Sequence, residues 1–149
     1  MKKKLFIIIP LVIIVLIQFI QIDTKNPEVK IEEDYFNLTK APKEIADILK
    51  ASCYDCHSNE SKYPYYSKIA PISWLVKNHI NEGREHLNFS EWGTYSDEKK
   101  ISKQEECIKE IEDNEMPLKS YTLMHSDANL TSVSKAKLVE WFKLQSVPL

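Results

Sequence analysis

The chain has 149 residues, enough for one compact domain and too few for two ordinary ones. Hydrophobic residues make up 43% and charged residues 28%, with a formal net charge of −2, which excludes a wholly disordered chain. Only two glycines occur, Gly83 and Gly93, so few positions can take left-handed backbone cheaply; this argues against a glycine-rich β-sandwich, a dinucleotide-binding fold and a P-loop, and favours helices.

Lys2, Lys3 and Lys4 precede an apolar run at residues 5–22 that carries no charge. As a helix this run would extend roughly 27 Å, close to the hydrocarbon thickness of a bilayer. The preceding lysines predict a cytoplasmic N-terminus and a C-terminal domain on the far side of the membrane. A cleaved signal sequence is the rival reading, but it calls for a shorter apolar region ending in small residues, and no alanine occurs before Ala41. Residues 1–22 are therefore expected to form a single-pass membrane anchor, with residues 23–41 as a polar stem, part of which folds back through Tyr35 and Phe36, and residues 42–149 as the domain. Beyond residue 22 the basic residues number 17 against 22 acidic ones, which excludes a nucleic-acid face and favours a partner with a positive patch.

Four helices are expected in the domain, and no alternating strand. The first starts near Pro42 and carries Ile45, Ile48 and Leu49 into Cys53. The second starts near Pro71, with Ile72, Leu75, Val76, His79 and Ile80 on one face. Ser96, followed by Asp97 and Glu98, announces the third, whose apolar stripe is Ile101, Ile108 and Ile111 and which ends before Pro117. Thr131 caps the fourth, with Leu138, Val139, Trp141 and Phe142 as its buried side. The expected fold is all-α, a small helical domain behind one N-terminal transmembrane helix.

Chemistry concentrates in Cys53-Tyr54-Asp55-Cys56-His57, the C-x-x-C-H attachment signal for c-type haem. Two intervening residues set the thiols at the spacing of the two haem vinyl groups, and the next residue offers an imidazole to the iron. One covalently bound haem c is the expected cofactor, with His57 as proximal ligand. A zinc site would need two further ligands from Cys107, His79 or His86, and a Cys53–Cys56 disulfide would close a loop too short to gain much. Met116, held by Pro117 just past the third helix, is the expected distal ligand; His79 is the alternative, and Met124, His86 and His125 are further candidates. The imidazole of His57 should donate its other N–H to a carbonyl, Pro71 or Pro64 being the candidates. Arg84, the sole arginine, could meet a haem propionate, and Trp74, Trp92, Tyr63, Tyr65 and Tyr66 could line the pocket or belong to the core. Cys107 is left over and reads as a buried free thiol.

Several linked stretches resemble the bacterial haem-binding domain family: Cys53-Tyr54-Asp55-Cys56-His57-Ser58-Asn59, Tyr63-Pro64-Tyr65-Tyr66-Ser67, Pro71-Ile72-Ser73-Trp74, His79-Ile80-Asn81-Glu82-Gly83-Arg84 and Leu87-Asn88-Phe89-Ser90-Glu91-Trp92. Met116-Pro117, Tyr121 and Trp141 also fit, and the likeness covers roughly residues 42–145. The resemblance implies a small exported c-type cytochrome-like protein, of a kind frequent in Bacteroidota. The general plan also resembles small cytochromes c, which implies a cytochrome c-like helical domain, and the long segment between His57 and Met116 departs from that plan. The expected function is single-electron transfer by a membrane-anchored monohaem protein. Its expected partners are redox proteins in the periplasm or membrane, and its expected place is the cytoplasmic membrane, with the domain facing the periplasm. A five-coordinate haem enzyme of peroxidase type, or a haem-based gas sensor, is the alternative, with His79 as a distal acid–base group.

Overall fold

A computed structural model of the chain describes residues 2–146, and its side chains from residue 6 onward. Among these residues the fold is all-helical, with no strand. The helices are α1 (Lys2–Ile17), α2 (Tyr35–Thr39), α3 (Lys43–Ser52), α4 (Tyr54–His57), α5 (Ile72–His86), α6 (Asp97–Glu112), α7 (Lys119–Thr122) and α8 (Ser132–Gln145). Short 3-10 turns at Ile31–Glu33, Tyr65–Lys68, Phe89–Thr94 and Ser126–Ala128 join them.

The four expected helices are α3, α5, α6 and α8. Their starts follow the cap chemistry: Ser96 Oγ accepts from Lys99 N and Thr131 Oγ1 accepts from Ser134 N, each satisfying a first-turn donor that the helix itself leaves unpaired. Helix α6 ends in a Schellman turn. Asn114 sits in the left-handed region at φ 61, the Glu115 amide donates to Glu110 O, and the Asn114 amide donates to Ile111 O. That turn reverses the chain so that Met116 follows directly on the helix.

Helix α5 buries only part of its expected face. Ile80 is buried as expected, whereas Ile72 and Leu75 face solvent and Ser73 and Gly83 are buried instead. The reason is close packing. A Cβ on Gly83 would lie 2.7 Å from the carbonyl oxygen of Cys56, so the small face of α5, not its bulkier apolar face, is pressed onto α4.

The core gathers Ile45 and Leu49 of α3, Tyr54 of α4, Ile111 of α6, Leu138 and Phe142 of α8, and an aromatic group of Tyr35, Phe89 and Trp92. Tyr35 is fully buried, meets Phe89 and Trp92 edge-on at 5.0 and 4.9 Å, and accepts a hydrogen bond from the Trp141 indole. The stretch 23–41 thus folds back through Tyr35 and Phe36, as expected, and the rest of it is no free stem either. Its end is core, and its beginning is strapped to the domain: Asn59 Nδ2 donates to Glu28 O, and Asn26 Nδ2 donates to Ser61 O.

The transmembrane helix expected over residues 1–22 is not found. Helix α1 ends at Ile17, and among the described residues no helix is long and apolar enough to cross a membrane. The break has a local cause. The Gln18 side-chain amide pairs with the backbone of Ala70 in both directions, donating to its carbonyl and accepting from its N–H, each at 3.0 Å, which pulls the chain off the helix axis and onto the domain.

Candidate functional site

Helix α4 is a single turn built on Cys53. Its carbonyl accepts from the Cys56 and His57 amides at 3.2 and 2.9 Å, which wraps both thiols and the imidazole around one turn. The two residues between the cysteines fix that turn from opposite directions. Tyr54 is buried and stacks between Phe36 at 4.5 Å and Phe89 at 5.1 Å. Asp55 turns the other way: one carboxylate oxygen accepts from the Lys62 amide and the other from the Tyr121 hydroxyl at 2.8 Å.

Beside this turn lies a cavity of about 470 Å³, a size typical of cofactor pockets. Its wall is mostly apolar, with Leu87, Phe89, Ile111, Leu118 and Phe142. Cys53, Cys56 and His57 line it from α4 and its leading residue, and Met116 and Pro117 line it from the loop after α6. His79, Glu82 and His86 of α5, and Lys103, Glu106, Cys107 and Glu110 of α6, complete it with polar groups.

The imidazole of His57 is held in one tautomer. Its Nδ1 lies 2.9 Å from Gly83 O and 3.1 Å from Leu87 O. Both partners are carbonyls and can only accept, so Nδ1 carries the proton and Nε2 keeps its lone pair. The expected partners are thereby corrected: the Pro71 carbonyl accepts from Trp74 N and the Pro64 carbonyl from Ser67 N, inside their own local turns. Burial holds the His57 pKa below its ordinary value, with the two backbone bonds opposing that shift, so the ring is neutral. Burial also pushes the Cys53 thiol up to about 12 and the Cys56 thiol up to about 11. All three cysteines are free.

A family model described as a haem-binding domain matches residues 12–144. The chain belongs to the haem-binding domain family. No curated protein and no solved structure matches it. The residues at the cavity fit a haem: an apolar chamber, two free thiols at the attachment spacing, and a neutral imidazole whose one unprotonated nitrogen is left for iron. A zinc knot fits less well. Among the described residues no three Cys, His, Asp or Glu side chains come together as a metal-ion group.

Of the expected axial candidates, Met116, His79 and His86 line the haem cavity. Met124 and His125 do not. Met124 is half exposed, and His125 stacks on Tyr121 at 4.4 Å while its Nε2 pairs with the Tyr66 hydroxyl. Arg84 is placed elsewhere. Its guanidinium donates to Ser58 O at 2.7 Å, to Asn26 Oδ1 and to Ser61 Oγ, so it ties the segment after the motif to the N-terminal strap. Trp74 also stands outside the cavity and donates its indole N–H to Ile20 O. Trp92 belongs to the core, and Tyr63, Tyr65 and Tyr66 are not in the wall. Cys107 packs against the core and reaches the cavity, where burial raises its thiol pKa.

Two features were missed in the sequence. Gly83 does double duty: its missing side chain admits α4, and its carbonyl holds His57. Tyr121 was noted only as a family position, yet it is the cavity residue that grips the motif's Asp55. A hydroxyl bound to a carboxylate 66 residues away leaves no local pattern to find.

Proposed function

We propose that the protein is a monohaem c-type cytochrome-like carrier that passes single electrons outside the cytoplasmic membrane. The observation that carries this reading is the convergence of Cys53, Cys56, a tautomer-locked His57 and Met116 on one cavity. Cys53 and Cys56 would hold the haem through two thioether bonds, each thiol adding across one vinyl group with its proton going to the neighbouring vinyl carbon. His57 would offer Nε2 to the iron, and its Nδ1–H, shared between Gly83 O and Leu87 O, fixes the ring orientation and raises the basicity of Nε2. Met116 would serve as the other iron ligand through its thioether, and the apolar wall would keep water away, both of which favour a raised potential. Bound haem contributes one-electron iron chemistry. Helix α1, with apolar side chains exposed all round, holds the domain at the membrane, where redox proteins are its partners.

One observation favours a second reading. His79 and His86 share the cavity with His57, so a five-coordinate haem with a histidine as distal acid–base group would make a peroxidase-like enzyme or a gas sensor. Expression in a host with cytochrome c maturation separates the two. A c-type pyridine haemochrome with a weak near-infrared methionine–iron band, lost together with a fall in potential in Met116→Ala, is the expected result. A high-spin spectrum with rapid CO binding and no effect of Met116→Ala would overturn the carrier and favour the enzyme or sensor.

A further inference from the structure

The bulkier apolar face of α5 that points away from the core is not isolated. Ile69, Ile72 and Leu75 are 46%, 46% and 59% exposed, and Tyr65 is 74% exposed. This patch adjoins the end of α1. Gln18 pairs with Ala70 in both directions, the Trp74 indole donates to Ile20 O at 3.1 Å, and Gln21 Nε2 reaches Lys68 O. No linker intervenes, because Ile17 ends the helix and Gln18 is already docked. The apolar surface of α1 thus runs on into the patch through Phe19 and Ile20, themselves exposed.

Its charge is as distinctive as its apolarity. Residues 61–81 carry Lys62, Lys68 and Lys77 and no acidic residue, in a chain with 22 acidic residues against 20 basic ones. Aliphatic side chains, a tryptophan and a tyrosine at the edge, and lysines around them are the composition that settles at the headgroup level of an anionic bilayer. A protein partner would need its own reason to sit against the root of α1, whereas a membrane that takes up α1 is already there.

We propose that this face, formed by Tyr65, Ile69, Ile72, Trp74 and Leu75 and flanked by Lys62 and Lys68, rests on the surface of an anionic lipid bilayer and so fixes the orientation of the haem domain. The proposal rests on the membrane role given above to α1.

The test uses the full haem-loaded chain in phosphatidylglycerol-containing vesicles doped with a lipid that carries a photoactivatable diazirine near its headgroup. After irradiation, peptide mapping should find label in α1 and in residues 69–75. Val133 and Leu144, exposed to a similar degree on α8, should be labelled at least about fivefold less. Lys62→Gln with Lys68→Gln should cut labelling of 69–75 severalfold and leave α1 labelling unchanged. Labelled α1 with residues 69–75 no more reactive than Val133 and Leu144 would overturn the docking face and leave the anchor standing. Unlabelled α1 would overturn both.

Discussion

Gly83→Ala sets two effects of opposite sign against each other at one atom. In an exposed helix interior, alanine is favoured over glycine by about 1 kcal/mol. Here the new Cβ would stand 2.7 Å from Cys56 O, 3.1 Å from Cys56 C and 3.2 Å from Cys56 Cβ. An ordinary carbon–oxygen contact is about 3.3 Å, so α5 and α4 must separate by roughly 0.6 Å, and backbone on both sides leaves no flexible side chain to give way. Overpacking of this kind costs about 1–3 kcal/mol, which offsets or exceeds the propensity gain. The same displacement drags the Gly83 carbonyl from His57 Nδ1, loosening one of the two bonds that set the ring. Net destabilisation of up to about 2 kcal/mol is expected, together with a shifted redox potential. Urea unfolding followed by far-UV circular dichroism reads the first, and spectroelectrochemistry reads the second. A variant about 1 kcal/mol more stable than the parent, with an unchanged potential, would refute the close-packing argument.

Three further substitutions test other parts of the site and its supports. Tyr121→Phe keeps the ring in the cavity wall but leaves the Asp55 carboxylate without its hydroxyl donor; it should cost about 1–2 kcal/mol in urea unfolding and speed displacement of Met116 by added imidazole. Asn114→Val forces a β-branched side chain into the left-handed turn that ends α6 and should cost about 1–2 kcal/mol, while Asn114→Gly should be neutral within a few tenths in the same assay. Asp34 caps α2 by accepting from Phe36 N, so Asp34→Ala should lose about 1 kcal/mol. Burial raises the Asp34 pKa above 3.8, so the folded state holds that proton more tightly than the unfolded state. Its contribution to stability therefore declines as pH rises from about 3.8 through the folded value. Asp34→Asn keeps the cap without the charge and should match or exceed the parent in thermal melts near neutral pH.

Much of the scaffold was legible because its signals are local. Ser96 and Thr131 cap the helices they announce, and Leu138 and Phe142 fall on the buried side of α8 where the period puts them. Periodicity fails where packing prefers small residues over apolar ones. In α5 the pattern points to Ile72, Leu75 and Ile80, but of these only Ile80 is buried, beside Ser73 and Gly83, because the absent side chain of Gly83 is what lets the helix approach the Cys56 backbone. The apolar run at residues 5–22 is a comparable case: hydropathy sees one continuous stretch, whereas Gln18 spends its amide on Ala70, 52 residues away.

The reading of Arg84 shows how far composition carries a site. A sole arginine in a haem protein suggests an anionic partner on the cofactor, yet five donors can serve backbone and amide oxygens equally well. Here they hold Ser58 and Ser61, just past the motif, against Asn26 of the strap. A second polar group does the same job nearby: Asn88 Nδ2 donates to Asn59 Oδ1, and the Asn59 amide donates to Ser90 Oγ, all three residues buried. Ser58, Asn59, Arg84, Asn88 and Ser90 all lie in the stretches that carry the family resemblance. In this fold they are supports for the segment leaving His57. The C-x-x-C-H spacing specifies which atoms a haem needs, and its two middle residues determine whether the turn stays still. Tyr54 stacks into the core, and Asp55, gripped by Tyr121 of α7 just past the loop that presents Met116, joins the attachment turn to that side of the cavity through a hydrogen bond. Loss of that bond should be felt at Met116 before it is felt at His57, whose ring has its own two carbonyls.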